Sequence, residues 1–181
     1  MININEKIDR VLFSEEQIKN RISEVGKQIS HDYEDKDPLI VGILKGSFVF
    51  MADLIRSIDI PCRTAFMKAS SYGTGTSSSG TVKLDGDIEK ALGTDVKGQH
   101  ILIVEDILDT ALTLSTVCEK IKLLAPASLK VCTFMDKQVE RTIDFKADYK
   151  CFDVENEFVV GYGVDYAEHY RNLPYIGVLK S

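Results

Sequence analysis

The stretch Ile101-Leu-Ile-Val-Glu-Asp-Ile-Leu-Asp-Thr-Ala-Leu-Thr113 sets three carboxylates, Glu105, Asp106 and Asp109, directly after a short apolar run. A turn of small and hydroxyl residues then opens a helical pattern. In open α/β sheets, ligands bind beyond the carboxyl ends of strands, and the unpaired N–H groups of a helix N-terminus attract anions. Residues 109–113 therefore suit a phosphate. Glu105 and Asp106 would repel that phosphate in direct contact, because like charges a few ångströms apart raise the energy. They suit vicinal hydroxyls, or a Mg²⁺ shared with the ligand. A ribose 5-phosphate meets both demands. Simple capping of a helix would account for one such acid but not for three. A receiver-type Mg²⁺ site would draw on an acidic pair early in the chain, and that pair is missing.

A second segment, Leu44-Lys45-Gly46-Ser47, follows another apolar run. Gly46 permits close backbone approach and Lys45 adds a positive charge. The GxxxxGK[ST] spacing of a nucleotide P-loop is not found in the chain. Alone, Lys-Gly-Ser is an ordinary turn. Together with the acidic segment it points to a ligand carrying phosphates at both ends.

These residues need a scaffold, and the surrounding pattern supplies one. Ser14-Glu-Glu-Gln17 is a capping box, and Ile18, Ile22, Val25 and Ile29 follow at helical spacing. The runs Leu39–Leu44, His100–Glu105 and Leu129–Phe134 read as strands buried on both faces. A further strand is expected over 60–67 and a helix over 48–58. Leu114, Val117, Cys118 and Ile121 form the inward stripe of another helix, which Pro126 ends. Strands alternating with helices predict an α/β fold, a parallel sheet flanked by helices. Ser70 to Gly80 has three glycines, no charge and no apolar periodicity, and is expected to be a mobile loop. From about Phe145, the runs Asp148–Phe152 and Phe158–Tyr162 predict a small antiparallel appendage. The expectation is a single domain over 1–181, with a core of about 36–140 and a hood of about 145–181 joined by N-terminal residues.

Composition narrows the function classes. The chain has 181 residues, 44% of them hydrophobic and 28% charged, with a mean hydropathy of -0.05. Disordered and collagen-like chains are excluded. With 22 basic against 28 acidic residues the net charge is -6, so neither nucleic acid nor an anionic membrane is an expected partner. No apolar run is long enough to span a bilayer, and Met1 to Glu6 lacks a signal-peptide layout, so a cytoplasmic location is expected. Cys62, Cys118, Cys132 and Cys151 show no CxxC pair and are expected to be free thiols.

Val104 to Thr113 resembles the 5-phosphoribosyl-1-pyrophosphate (PRPP) signature of type I phosphoribosyltransferases. Gly42–Ser47, Ser70–Gly73, Phe158–Tyr166 and Tyr170–Gly177 resemble the hypoxanthine (hypoxanthine-guanine) phosphoribosyltransferase family, and the resemblance runs nearly end to end. It implies transfer of the phosphoribosyl group from PRPP to N9 of a 6-oxopurine, hypoxanthine or guanine, with Mg²⁺ and release of pyrophosphate. By the same resemblance, Asp109, Thr110, Ala111, Leu112 and Thr113 hold the 5′-phosphate, and Glu105 and Asp106 address the ribose hydroxyls and Mg²⁺. Asp109 is the general base at purine N7. Lys45, Gly46 and Arg171 receive the pyrophosphate. Asp165 helps hold a second Mg²⁺ beside the purine. Lys137 donates to O6, Phe158 stacks on the base, and Val159 contacts its pyrimidine edge. Ser71 and Tyr72 belong to a lid over 70–80, and the assembly is a homodimer or homotetramer. A PRPP-binding regulatory protein of the same fold is the alternative. One position departs from the family: Ala111 stands where glycine is usual. A positive φ there would strain it, whereas a helical φ would not.

Overall fold

The computed structural model describes residues 7–71, 82–84 and 88–180. In chain order the elements are β1 (Ile8–Phe13), α1 (Glu15–Asp32), β2 (Leu39–Leu44), α2 (Phe48–Arg56), β3 (Arg63–Ser71) and β4 (Val82–Leu84). They continue with α3 (Ile88–Leu92), β5 (His100–Leu108), α4 (Leu112–Lys122), β6 (Ser128–Lys137), β7 (Tyr149–Val154), β8 (Val159–Val160) and β9 (Ile176–Leu179). The six-stranded sheet runs β4-β3-β2-β5-β6-β7. β3, β2, β5, β6 and β7 are parallel and β4 is antiparallel to β3. A three-stranded antiparallel sheet, β1-β9-β8, forms the hood.

Local signals placed most of these elements. Ser14 caps α1, its hydroxyl accepting from the Gln17 N–H while the Gln17 side chain accepts from the Ser14 N–H. The inward stripe of α1 packs with Phe50, Met51 and Leu54 of α2 on one face of the sheet. Leu114, Val117 and Ile121 of α4 pack on the other. The first of these clusters also takes in Val159, Tyr162, Ile176 and Val178, so the hood shares the apolar core of the parallel sheet. Cys118, Cys132 and Cys151 are buried, Cys62 is half-buried, and all four are free thiols. No helix among the described residues is long and apolar enough to cross a membrane.

Four expectations need correction. The strand expected to end at Glu105 continues to Leu108, because β6 offers pairing partners as far as Leu108↔Asp136. Glu105 and Asp106 therefore lie within the strand rather than at its end. All of the run Asp148–Phe152 but its first residue lies in β7, which pairs parallel with β6 at the sheet edge, outside the antiparallel hood. Its alternation of buried and half-buried residues fits either strand direction, since period two carries no information about the partner. The strand expected over 60–67 starts at Arg63 and reaches Ser71, and the helix expected over 48–58 stops at Arg56. The backbone of Ser70 and Ser71 thus belongs to β3, paired with Lys83 and Val82. Tyr72 and the rest of the expected lid lie outside the described residues.

Candidate active site

In the strand order, β3 lies beyond β2 and β6 lies beyond β5, so successive crossovers diverge between β2 and β5. That divergence opens a crevice at the carboxyl ends of the two strands. A cavity of about 470 Å³ sits there, lined by Lys45, Glu105, Asp106, Asp109 to Leu114 and Asp165. The two segments singled out by spacing thus meet at one place.

At one end of the cavity the chain turns from β5 into α4. Ala111 occupies the N-cap with φ 67°, a left-handed conformation, and no side chain caps the helix. The first-turn N–H groups of an α-helix have no intrahelical partners. The first turn of α4 carries no acid, while Lys120 and Lys122 lie in its last turn. The N-terminus is thus open to an anion, and the dipole favours one. Ala111 does adopt the positive φ that strains a residue with a Cβ, at a cost of about 1–2 kcal/mol.

The other end is built from side chains far apart in sequence. Lys45 follows β2, after a cis Leu44–Lys45 peptide bond. Its Nζ donates to both carboxylate oxygens of Glu168, each at 3.0 Å. Arg171 Nη2 pairs with Asp165 Oδ1 at 2.8 Å and reaches Glu168 Oε2 at 3.4 Å, while its Nη1 donates to the Gly163 carbonyl at 2.7 Å. Lys45 holds the Glu168 carboxyl below its usual range, with Arg171 adding a smaller contribution. Ala167, Glu168 and Tyr170 all have positive φ in this turn. Gly46 is required for a different reason: a Cβ there would overlap the Asp106 carboxylate. A Cβ on Gly163, itself at φ +98°, would overlap the Gly46 carbonyl.

Between the ends lie the acids. Glu105 Oε2 is buried with no hydrogen-bond partner. Burial, followed by the charge of Asp106, pushes its carboxyl well above the usual range. Asp106 Oδ1 accepts from the Ile107 N–H at 2.9 Å. Among the described residues no group of three or more His, Cys, Asp or Glu forms a ready metal cage. Mg²⁺ typically takes one or two carboxylates and completes its shell with water and substrate oxygens. An oxygen-only pair with one unpartnered oxygen fits that demand.

Lys137 ends β6, mostly buried, and its Nζ lies 3.8 Å from Asp109 Oδ2. Phe158 stands apart from the acid-lined cavity. It is 56% exposed and makes an edge contact with Tyr166 at 5.4 Å. It lines a neighbouring groove of about 960 Å³ with Lys7, Arg10 and Glu157. Val159 is buried in β8, paired with Val178. Sequence reasoning missed Glu168, although an acid three residues before Arg171 in the same block was a usable signal. It also missed Arg141 and Asp136, for which no spacing rule gave a signal.

A cleft at a topological switch point, with a helix N-terminus at one end, Lys45 and Asp165 at the other and carboxylates between, is chemically suited to a phosphorylated sugar, and Arg171 meets it through Asp165 from a separate groove. The family profile for the phosphoribosyl transferase domain matches residues 12–167, and the chain belongs to that family, within its hypoxanthine-guanine group. It is 51% identical over 173 residues to the hypoxanthine-guanine phosphoribosyltransferase of Bacillus subtilis, covering 96% of this chain and 94% of that protein. A crystal structure of a hypoxanthine phosphoribosyltransferase from Staphylococcus aureus superposes with a TM-score of 0.91 at 44% identity, covering 98% of this chain and 94% of that one. A Trypanosoma cruzi hypoxanthine phosphoribosyltransferase mutant, described as a ternary substrates complex, gives a TM-score of 0.87 at 41% identity, over 97% of each chain.

Proposed function

We propose that the protein transfers the 5-phosphoribosyl group of PRPP to N9 of hypoxanthine or guanine, forming the nucleoside monophosphate and pyrophosphate in purine salvage. The observation that carries this reading is the meeting of Asp109 and Lys137 at 3.8 Å beside a cavity with an anion end on each side. The backbone of residues 109–113 binds the 5′-phosphate. Glu105 and Asp106 accept hydrogen bonds from the ribose hydroxyls and, with Asp165, would hold Mg²⁺. That ion supplies charge neutralisation for the departing pyrophosphate. Lys45, Gly46 and Arg171 receive the pyrophosphate, the arginine through a fork that matches phosphate oxygens.

Lys137 donates to O6 of the base. A 6-amino purine would set a donor against a donor, and leaving both unpaired in a buried site is costly. Asp109 takes the proton at N7, and the electron pair released into the ring makes N9 nucleophilic at C1′. Phe158 covers the base from its exposed position, and the Val159 backbone meets the pyrimidine edge. The chain works as one unit in the cytoplasm, and assembles as a homodimer or homotetramer.

Incubation with PRPP, Mg²⁺ and, separately, hypoxanthine, guanine, xanthine and adenine tests the reading, with products separated by chromatography. Nucleotide formed from hypoxanthine and guanine but not from adenine is the expected result. No product from either of the first two overturns it. Light scattering coupled to size exclusion gives the oligomer, and a monomeric mass would remove the assembly.

A further inference from the structure

Lys137 ends β6 and Asp109 directly follows β5, and the ladder between those strands stops short of both. The last β5–β6 pair is Leu108↔Asp136. Asp109 and Lys137 lie one residue beyond it, where a strand pair no longer fixes their separation. Arg141, in the irregular segment after β6, spans that gap. Its Nε donates to the Asp109 carbonyl at 2.6 Å. Its Nη2 faces the Leu108 carbonyl at 2.9 Å, the Lys137 carbonyl at 2.7 Å and Asp136 Oδ1 at 2.5 Å. The side chains of Arg141 and Asp136 are 15% and 12% exposed, so this guanidinium is shielded from solvent on most sides.

We infer that Arg141 is a positioning residue for the transfer reaction: its guanidinium replaces the missing ladder and holds Asp109 and Lys137 in register for a purine. This rests on the function proposed above. N7 and O6 lie on one edge of a 6-oxopurine, so the base and the donor must keep one separation to serve both atoms. A misplacement of about 1 Å in such a pair can cost about 100-fold in rate. The planar fork suits the task because it addresses carbonyls on both strands at once, whereas an ammonium is a point donor.

The test compares Arg141→Lys and Arg141→Ala with the wild type, measuring kcat, both KM values and the thermal midpoint. Arg141→Lys is expected to stay folded, with kcat/KM for hypoxanthine lowered at least about tenfold and KM for PRPP within about threefold of wild type. Added methylguanidinium is expected to restore part of the lost rate in Arg141→Ala at a temperature where the variant is already fully folded, a gain that a merely structural tie would not give. Wild-type-like kinetics in Arg141→Lys overturn the inference. So does a loss that tracks the folded fraction and does not respond to methylguanidinium. An inactive wild type would instead fail the proposed function, and the two failures are told apart by that control.

Discussion

At one end of the cavity, residues 109–113 present backbone groups from a single contiguous turn, with no side chain capping α4. At the other, Lys45 and Glu168 come together from positions 123 residues apart, and Arg171 joins them through Asp165 and Glu168. The first end is open to an anion before any ligand arrives. The second already holds one, because the Glu168 carboxylate sits on both cations. In the proposed reaction an incoming pyrophosphate would have to displace Glu168 from Lys45, whereas a 5′-phosphate would meet a helix N-terminus with no side-chain cap. Both ends also carry strained backbone, a lone Ala111 at the first and three residues of the Tyr166–Tyr170 turn at the second.

The largest effect is expected between the two ends. Asp109→Asn keeps the backbone of the phosphate turn but removes the proton acceptor, so kcat should fall by about 10²-fold or more while KM for PRPP changes little. Steady-state kinetics at saturating PRPP check this, and an unchanged kcat would remove the base assignment. Next comes Gly46→Ala, which pushes a methyl into the Asp106 carboxylate. Its kcat/KM for PRPP should drop about tenfold or more, equivalent to about 1.4 kcal/mol, with pyrophosphate binding damaged more than binding of the nucleoside monophosphate, which loses only the Asp106 contact to its ribose hydroxyls. Equal losses for both ligands would erase the distinction between the ends.

Smaller changes sharpen the comparison. Glu168→Gln removes the competing carboxylate and should tighten pyrophosphate binding by about threefold, a small change because solvent screens an exposed ion pair. Isothermal calorimetry at low salt reads it, and weaker binding would mean that Glu168 helps to hold the ligand. Ala111→Gly relieves the left-handed strain at the phosphate end, offset in part by the greater freedom of glycine in the unfolded chain. A net gain of up to about 1 kcal/mol, or about 2–4 °C in Tm for a chain of this size, is expected. A lower Tm would show that the turn holds alanine without strain.

The difference between the ends also explains how much could be read in advance. The phosphate end was legible because one short segment carries the apolar strand, the acids and the helix start, and each leaves a local mark. Lys45 and Gly46 were visible only as an ordinary turn until a second segment gave them company. The partner of Lys45 was missed, since the spacing of Glu168 and Arg171 signals a local pair but says nothing about a lysine 123 residues away. Arg141 was hidden as well: its acceptors are mostly backbone carbonyls, which every residue carries. The edge strand β7 misled because alternation reports burial and not strand direction.

From the sequence alone came the alternation of strands and helices, the capping box at Ser14, the helix start after the acidic strand end and the family resemblance. These rest on neighbours in the chain, where residue type and spacing act directly on the backbone. Tertiary structure decided which strand ends face one another, that Ala111 takes a left-handed φ, that Glu168 sits across both cations and that Arg141 ties β5 to β6. Each of these depends on the separation of atoms from distant segments, which the packing of the sheet and its two apolar faces sets and no local pattern encodes.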